Sequence, residues 1–196
     1  MISAIVMASG FSRRMKKNKL LMEFDGEIVI DRTLKTIKKS KVGEYILIYS
    51  SDEVRDIAMA NGFDTYHNSK AHLGQSESIK LGVEVASKDA EGYMFFVGDQ
   101  PLLDEETIDT LIDTFLDNKD SIVIPKFRDK RGNPVIFPAS LGIELLSLEG
   151  DVGGRDVIRN NKEKLIEIKV ANSYAGMDID TPEAYDELLR IKKSKY

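Results

Sequence analysis

The feature that most constrains this chain is its first stretch, Ile2-Ser3-Ala4-Ile5-Val6-Met7-Ala8-Ser9-Gly10-Phe11-Ser12-Arg13-Arg14-Met15-Lys16-Lys17-Asn18-Lys19. A short apolar run closed by small residues and a glycine predicts a buried strand. The small residues at its end let the backbone approach a ligand closely. The cations behind it, Arg13, Arg14, Lys16, Lys17 and Lys19, suit a polyanion such as a nucleoside triphosphate. Read locally, the same cations are equally a solvated charge run at a surface turn.

The rest of the chain alternates. Ile30, Thr33, Leu34 and Ile37 fall at helical spacing, and the helix they predict stops at Lys38, Lys39 and Gly43. Tyr45 to Tyr49 predicts a second strand, Ser51-Asp52 caps a helix ending near Asn61-Gly62, and Phe63 to Tyr66 predicts a third, short strand. Ile79, Val83 and Ala86 mark a helix after Gly74, with Ser76 reading as its N-cap. Tyr93 to Val97 is a strongly apolar strand that ends in Gly98-Asp99-Gln100-Pro101. Asp104 caps a helix whose apolar stripe is Ile108, Leu111, Ile112, Phe115 and Leu116. Ser121 to Ile124 predicts a strand closed by Pro125, and Phe127 to Arg131 a polar turn. Pro134 to Phe137 resumes extended structure, Leu141, Leu145 and Leu148 suggest a helix, Leu165 to Val170 a late strand, and a final helix follows Thr181-Pro182. Strands alternating with helices imply βαβ units, hence one α/β domain over residues 1–196 with a mostly parallel sheet covered on both faces.

Composition narrows the chemistry. A net charge of -5 argues against general nucleic-acid binding, so the basic loop is a local field that steers a small anion. With no cysteine there is no disulfide, thiolate nucleophile or cysteine zinc site, and His67 and His72 alone do not suggest a histidine metal site. A metal would be a hard cation held by carboxylates, magnesium beside phosphates. No leader is evident and no apolar run approaches the ~18 residues of a membrane span, so the expected location is cytoplasmic.

In open α/β sheets ligands bind outside the carboxyl ends of the strands. That rule makes the loop after the first strand and the Gly98-Asp99-Gln100-Pro101 loop candidate neighbours, one bringing cations and the other a carboxylate. Walker, dinucleotide and nucleophile-elbow glycine patterns do not occur. Local alternatives stand beside this reading. Asp99 also suits a turn, and Asp180 before Thr181-Pro182 also supports a helix start.

Ala8-Ser9-Gly10-Phe11-Ser12-Arg13-Arg14-Met15 followed by Lys19 resembles the signature loop of MobA-like nucleotidyltransferases. Gly98-Asp99-Gln100-Pro101 is similar to that family's metal-binding loop, and Arg131-Gly132-Asn133-Pro134-Val135 to its Arg-Gly-His-Pro-Val segment. Gly150-Asp151-Val152-Gly153-Gly154-Arg155 and Asp178-Ile179-Asp180-Thr181-Pro182 match its remaining segments in the same order. Lys16, Asn133, Gln75 and Glu77 depart from the family pattern.

The resemblance implies a Rossmann-like nucleotidyltransferase fold, and its most similar branch is the molybdenum cofactor cytidylyltransferases. It implies transfer of CMP from CTP to the terminal phosphate of molybdopterin with release of pyrophosphate, and a molybdenum hydroxylase receiving the product. Ser9, where guanylyl-transferring relatives tend to carry glycine, leans the choice towards CTP over GTP. By the same resemblance Arg14, Lys19 and Asp99 are catalytic, and Asp99 and Asp180 hold Mg2+. Ala8, Ser9, Gly10, Ser12, Ser76 and Ser78 face the nucleotide, and Arg131, Asn133 and Asp151 face the acceptor. Other expectations are a nucleotidyltransferase for a sugar phosphate or isoprenoid precursor, or a non-catalytic cofactor chaperone.

Overall fold

The computed structural model describes residues 1–10, Met15 and 17–195. The strands are β1 (Ile2–Ala8), β2 (Glu23–Phe24), β3 (Glu27–Ile28), β4 (Glu44–Tyr49), β5 (Asp64–His67), β6 (Gly92–Val97), β7 (Ile122–Phe127), β8 (Lys130–Arg131), β9 (Val135–Pro138) and β10 (Leu165–Lys169). The helices are α1 (Val29–Lys39), α2 (Asp52–Ala60), α3 (Gln75–Val85), α4 (Glu105–Asp117), α5 (Gly142–Leu146), α6 (Arg155–Asn160) and α7 (Pro182–Lys195).

β1 lies at the centre. It pairs in parallel with β4 on one side and β6 on the other, and the sheet runs β5-β4-β1-β6-β9-β7-β10. β9 runs antiparallel to both β6 and β7, β10 is again parallel to β7, and β8 folds back on β7. Both faces are covered, which is why β1 reads as an unbroken apolar run. Ile2, Ala4, Val6 and Ala8 point into one core with Ile30, Leu34 and Ile37 of α1, Val54 of α2 and the Ile108–Phe115 stripe of α4. Ile5 points the other way, against Ile79 and Val83 of α3, Leu145 of α5 and Val157 of α6. The period-2 pleat thus serves two helical layers from one strand.

A third cluster joins Met15, Met22, Phe24, Val29, Ile179 and Leu188. It anchors the segment before α7, and Asp178 and Asp180 with it, to the β2–β3 hairpin. That hairpin turns on Asp25 and Gly26, both at positive φ (55° and 78°), the conformation a two-residue Asp-Gly turn supplies.

Most predicted elements stand within a residue or two, with α7 starting after Thr181, whose Oγ1 accepts from Ala184 N at 3.2 Å. Four expectations are corrected. Pro125 does not close its strand, because β7 continues to Phe127. Pro125 O accepts from Gly132 N at 3.1 Å, so the missing N–H falls where pairing passes from β9 to β8, at a break in the ladder. The expected polar turn accordingly narrows to residues 128–129, with Arg131 in β8. Leu116 leaves the buried stripe of α4 and is 43% exposed. Ser76 is not the N-cap of α3. Gly74 is, at φ 122°, and a Cβ there would lie 2.5 Å from the Gly150 carbonyl carbon. Among the described residues, no helix is long and apolar enough to cross a membrane.

Candidate functional site

The strand order reverses beside β1, whose register with β6 sets Met7 opposite Val97. Ser9-Gly10 and Gly98-Asp99 therefore leave the carboxyl edge of the sheet as neighbours, in the crevice where open α/β sheets take ligands. A Cβ on Gly98 would sit 2.9 Å from Ile30 Cδ1, so glycine lets this turn pack on α1. The crevice is a cleft of about 670 Å³ bordered by Ser9, Gly10, Lys19, Asp99, Asp178 and Asp180, with Ala8 in its wall.

At its floor three side chains meet. Lys19 Nζ is ion-paired with Asp99 Oδ2 and donates to Asp180 Oδ1 at 2.8 Å. Asp99 is 6% exposed, and its carbonyl accepts from Ile179 N at 3.1 Å, so the two acidic segments are locked by backbone. Burial lowers the pKa of Lys19, but Asp99 and Asp180 outweigh it and raise the net value. Burial pushes Asp99 up against the opposing pull of Lys19. Asp178 opens on the same cleft. The protein that keeps water off it, together with Asp99 and then Asp180, pushes its carboxyl up to about 7, against the 2.8 Å hydrogen bond from Gln100 Nε2. Asp178 is a site residue that sequence reasoning passed over, although it stands two positions from Asp180.

Among the described residues, no three or more His, Asp or Glu side chains are gathered as a metal site. Two carboxylates do converge on one point, where the Lys19 ammonium sits. Two hard oxygen donors on a common point are what a divalent cation takes from protein when phosphate oxygens and water complete its shell. The expected pair, Asp99 and Asp180, fits that donor set.

Higher in the cleft, Ser9 Oγ and Ser78 Oγ lie 2.7 Å apart, and Asn68 Nδ2 donates to Ser78 Oγ at 3.0 Å and Ser9 Oγ at 3.3 Å. Asn68 is 4% exposed and is held just past β5 by its own N–H to Tyr49 O at 2.8 Å. Its two amide protons serve the two serines, and one serine donates to the other. The second serine's hydroxyl proton is then left to donate to a ligand. No local pattern singles out Asn68.

The other expected residues divide. Ser12 and Arg14 lie outside the described residues. Ser76 is fully buried, lines neither cleft, and its hydroxyl has no hydrogen-bond partner among the described residues. Its backbone N–H donates to Gly150 O, while Gln75 N donates to Asp151 Oδ1, both at 3.2 Å. The Gly150-Asp151 segment thus satisfies first-turn amides that a local serine was expected to cap. Replacing Ser76 with Ala is expected to stabilise the fold by about 1 kcal/mol, since an unsatisfied hydroxyl is removed. Nucleotide affinity should not change. A fall in melting temperature, or a weakened nucleotide titration, would refute this.

Asp151 borders the first cleft, as does exposed His72, whereas Arg131 and Asn133 border a second cleft of about 460 Å³. Met7 and Gln75 line both, so the two clefts meet at these side chains.

The chain is 26% identical over 200 residues to "Purine catabolism protein PucB" of Bacillus subtilis, covering 95% of each chain. It is also 26% identical over 124 residues to "Probable molybdenum cofactor guanylyltransferase" of Natranaerobius thermophilus, covering 63% of this chain and 60% of that protein. Its fold is shared by Rv0371C of Mycobacterium tuberculosis H37Rv in complex with manganese, with a TM-score of 0.82 at 24% identity over 96% of this chain and 98% of that one. The model of the MobA-like NTP transferase domain matches residues 4–165, and the chain belongs to that family.

Proposed function

We propose that the protein transfers a nucleotidyl group, CMP from CTP, to the terminal phosphate of molybdopterin with the assistance of Mg2+. The observation that carries the reading is the cation held between Asp99 and Asp180 at the joint carboxyl edge of β1 and β6. The relative named as a molybdenum cofactor guanylyltransferase supports the acceptor, and the manganese complex of the structural neighbour supports a divalent metal.

An oxygen of the acceptor phosphate attacks the α-phosphorus. The new P–O bond forms as the bond from the α-phosphorus to the bridging oxygen breaks, and pyrophosphate leaves with that oxygen. The acceptor phosphate is already anionic at neutral pH, so no strong base is needed, and catalysis is positioning plus charge neutralisation. Lys19, and with it Arg14, neutralises the triphosphate. Ala8, Ser9 and Gly10 bring backbone close to it, and Ser78 with Ser9 and Asn68 reads the nucleoside. Asp99 and Asp180 would hold the Mg2+, which would supply charge neutralisation at the phosphates. Arg131 and Asn133 border the acceptor's cleft, and the product passes to a molybdenum hydroxylase in the cytoplasm.

Pyrophosphate release from CTP, Mg2+ and molybdopterin tests the reaction, and magnesium-dependent thermal shifts with CTP and GTP test the base. A larger shift with CTP is expected. A larger shift with GTP would overturn the base assignment, and no pyrophosphate release with either nucleotide would sink the reaction.

A further inference from the structure

The second cleft differs in chemistry from the first. Its floor is apolar, with Phe137 set edge-on to Phe95 at 5.9 Å between ring centroids, flanked by Ile124, Val135 and Ile158. Among the described residues no Asp or Glu lines it, and its uncharged polar side chains are Gln75 and Asn133. Its rim carries Arg131, Arg155, Arg159 and Lys162.

These cations are not equivalent. Arg131 is spent on Glu167, with Nε donating to Oε1 at 2.6 Å, and Arg159 pairs with Asp156 at 3.1 Å. Arg155 and Lys162 are exposed, and no ion pair holds either among the described residues. Both line the cleft. Gly154 lies against the Phe137 ring, where a Cβ would meet Cζ at 2.7 Å, and so brings the start of α6 onto the apolar floor. Positions 155, 158 and 159 then share one face of α6, Lys162 follows in the turn just past it, and all four line the cleft.

We propose that this cleft selects the acceptor as an amphipathic anion. Its flat apolar body lies on Phe137, Ile124 and Ile158, and a negative group lies on Arg155 and Lys162, which are specificity-determining residues. The inference rests on the transferase reading for the word acceptor, because Met7 and Gln75 open this cleft onto the proposed nucleotide cleft. A polyhydroxylated phosphate is disfavoured. Over the floor of Phe137, Ile124 and Ile158 its hydroxyls would leave water without a partner, and buried polar groups without partners are costly.

The test is calorimetric titration of the full chain with 1-naphthyl phosphate, glucose 1-phosphate and 1-naphthol, and separately with CTP and with GTP in the presence of Mg2+. Naphthyl phosphate is expected to bind at least about tenfold more tightly than glucose 1-phosphate, which lacks the apolar body, and than 1-naphthol, which lacks the anion. The double variant Arg155→Ala, Lys162→Ala should weaken naphthyl phosphate about tenfold or more and leave CTP affinity unchanged, while Arg155→Lys with Lys162→Arg should restore most of it. Equal binding of the three probes, or wild-type affinity in the double alanine variant, would overturn the proposal. If CTP binds and naphthyl phosphate does not, this inference falls alone. If naphthyl phosphate binds as expected and neither CTP nor GTP does, the transferase reading falls and the anion slot stands.

Discussion

Asp99→Asn is expected to lower pyrophosphate release about 100- to 1000-fold while leaving the fold at least as stable as the wild type. The two halves of this result have separate causes. Asp99 is 6% exposed, and burial holds its carboxyl above the ordinary range in the folded protein. A carboxyl whose pKa rises on folding is a cost at neutral pH: its stabilising contribution is complete below the unfolded value and is lost as pH climbs through the folded one. The neutral amide removes that cost. Lys19 is not orphaned by the change, because Asp180 still accepts from it at 2.8 Å. What disappears is one of two negative donors on the common point, and with it the site's hold on a cation beside the phosphates. Stopped-flow pyrophosphate release and a thermal melt decide the matter together. A folded Asp99→Asn protein with wild-type turnover would remove Asp99 from the site, and a variant that fails to fold would show that its role is structural.

The sheet was legible for a physical reason. β1 and β6 are buried on both faces, so their sequences are continuous apolar runs that no amphipathic helix imitates. α1 was legible because Ile30, Leu34 and Ile37 keep helical spacing against a single core. The β2–β3 hairpin was overlooked although Asp25-Gly26 is a strong turn signal, because the strands it joins are two residues each and show no alternation. α6 was overlooked because six residues carry too little periodicity to register. In the site, Lys19, Asp99 and Asp180 stood out by resemblance. Asn68 did not, since it meets Ser9 across 59 residues and gains meaning only when β5 sets it beside β1. Ser76 misled for the opposite reason. Its sequence position suits a cap, but Gly150 reached the helix start first, from far along the chain. Reading by local signals succeeds where neighbours in sequence decide a residue's role, and fails where a distant segment does.

Lys19→Met tests the same centre from the cation's side, and here stability and activity should fall together. Removing the ammonium leaves Asp99, 6% exposed, without the cation it is paired with and with Asp180 still close enough to repel it. Breaking a buried pair from one side is more costly than never having formed it, because the remaining charge stays desolvated. A loss of about 2 kcal/mol is expected for this partly open site, or about 5 °C in melting temperature for a chain of this size. The loss should be selective. Mg2+ or Mn2+ in the millimolar range would occupy the point the ammonium vacated, so the variant should gain more melting temperature from divalent cation than the wild type does, where Lys19 competes for the same oxygens. Pyrophosphate release should nonetheless stay about 100-fold or more below wild type even with metal present, since the lysine's charge on the leaving group is not replaced. Melts in EDTA and in graded Mg2+, run beside Asp99→Asn as the control that lacks one metal donor, separate the possibilities. Equal metal stabilisation of Lys19→Met and Asp99→Asn would mean that the convergence of Asp99 and Asp180 holds no cation but lysine, and the metal would have to be sought elsewhere in the cleft.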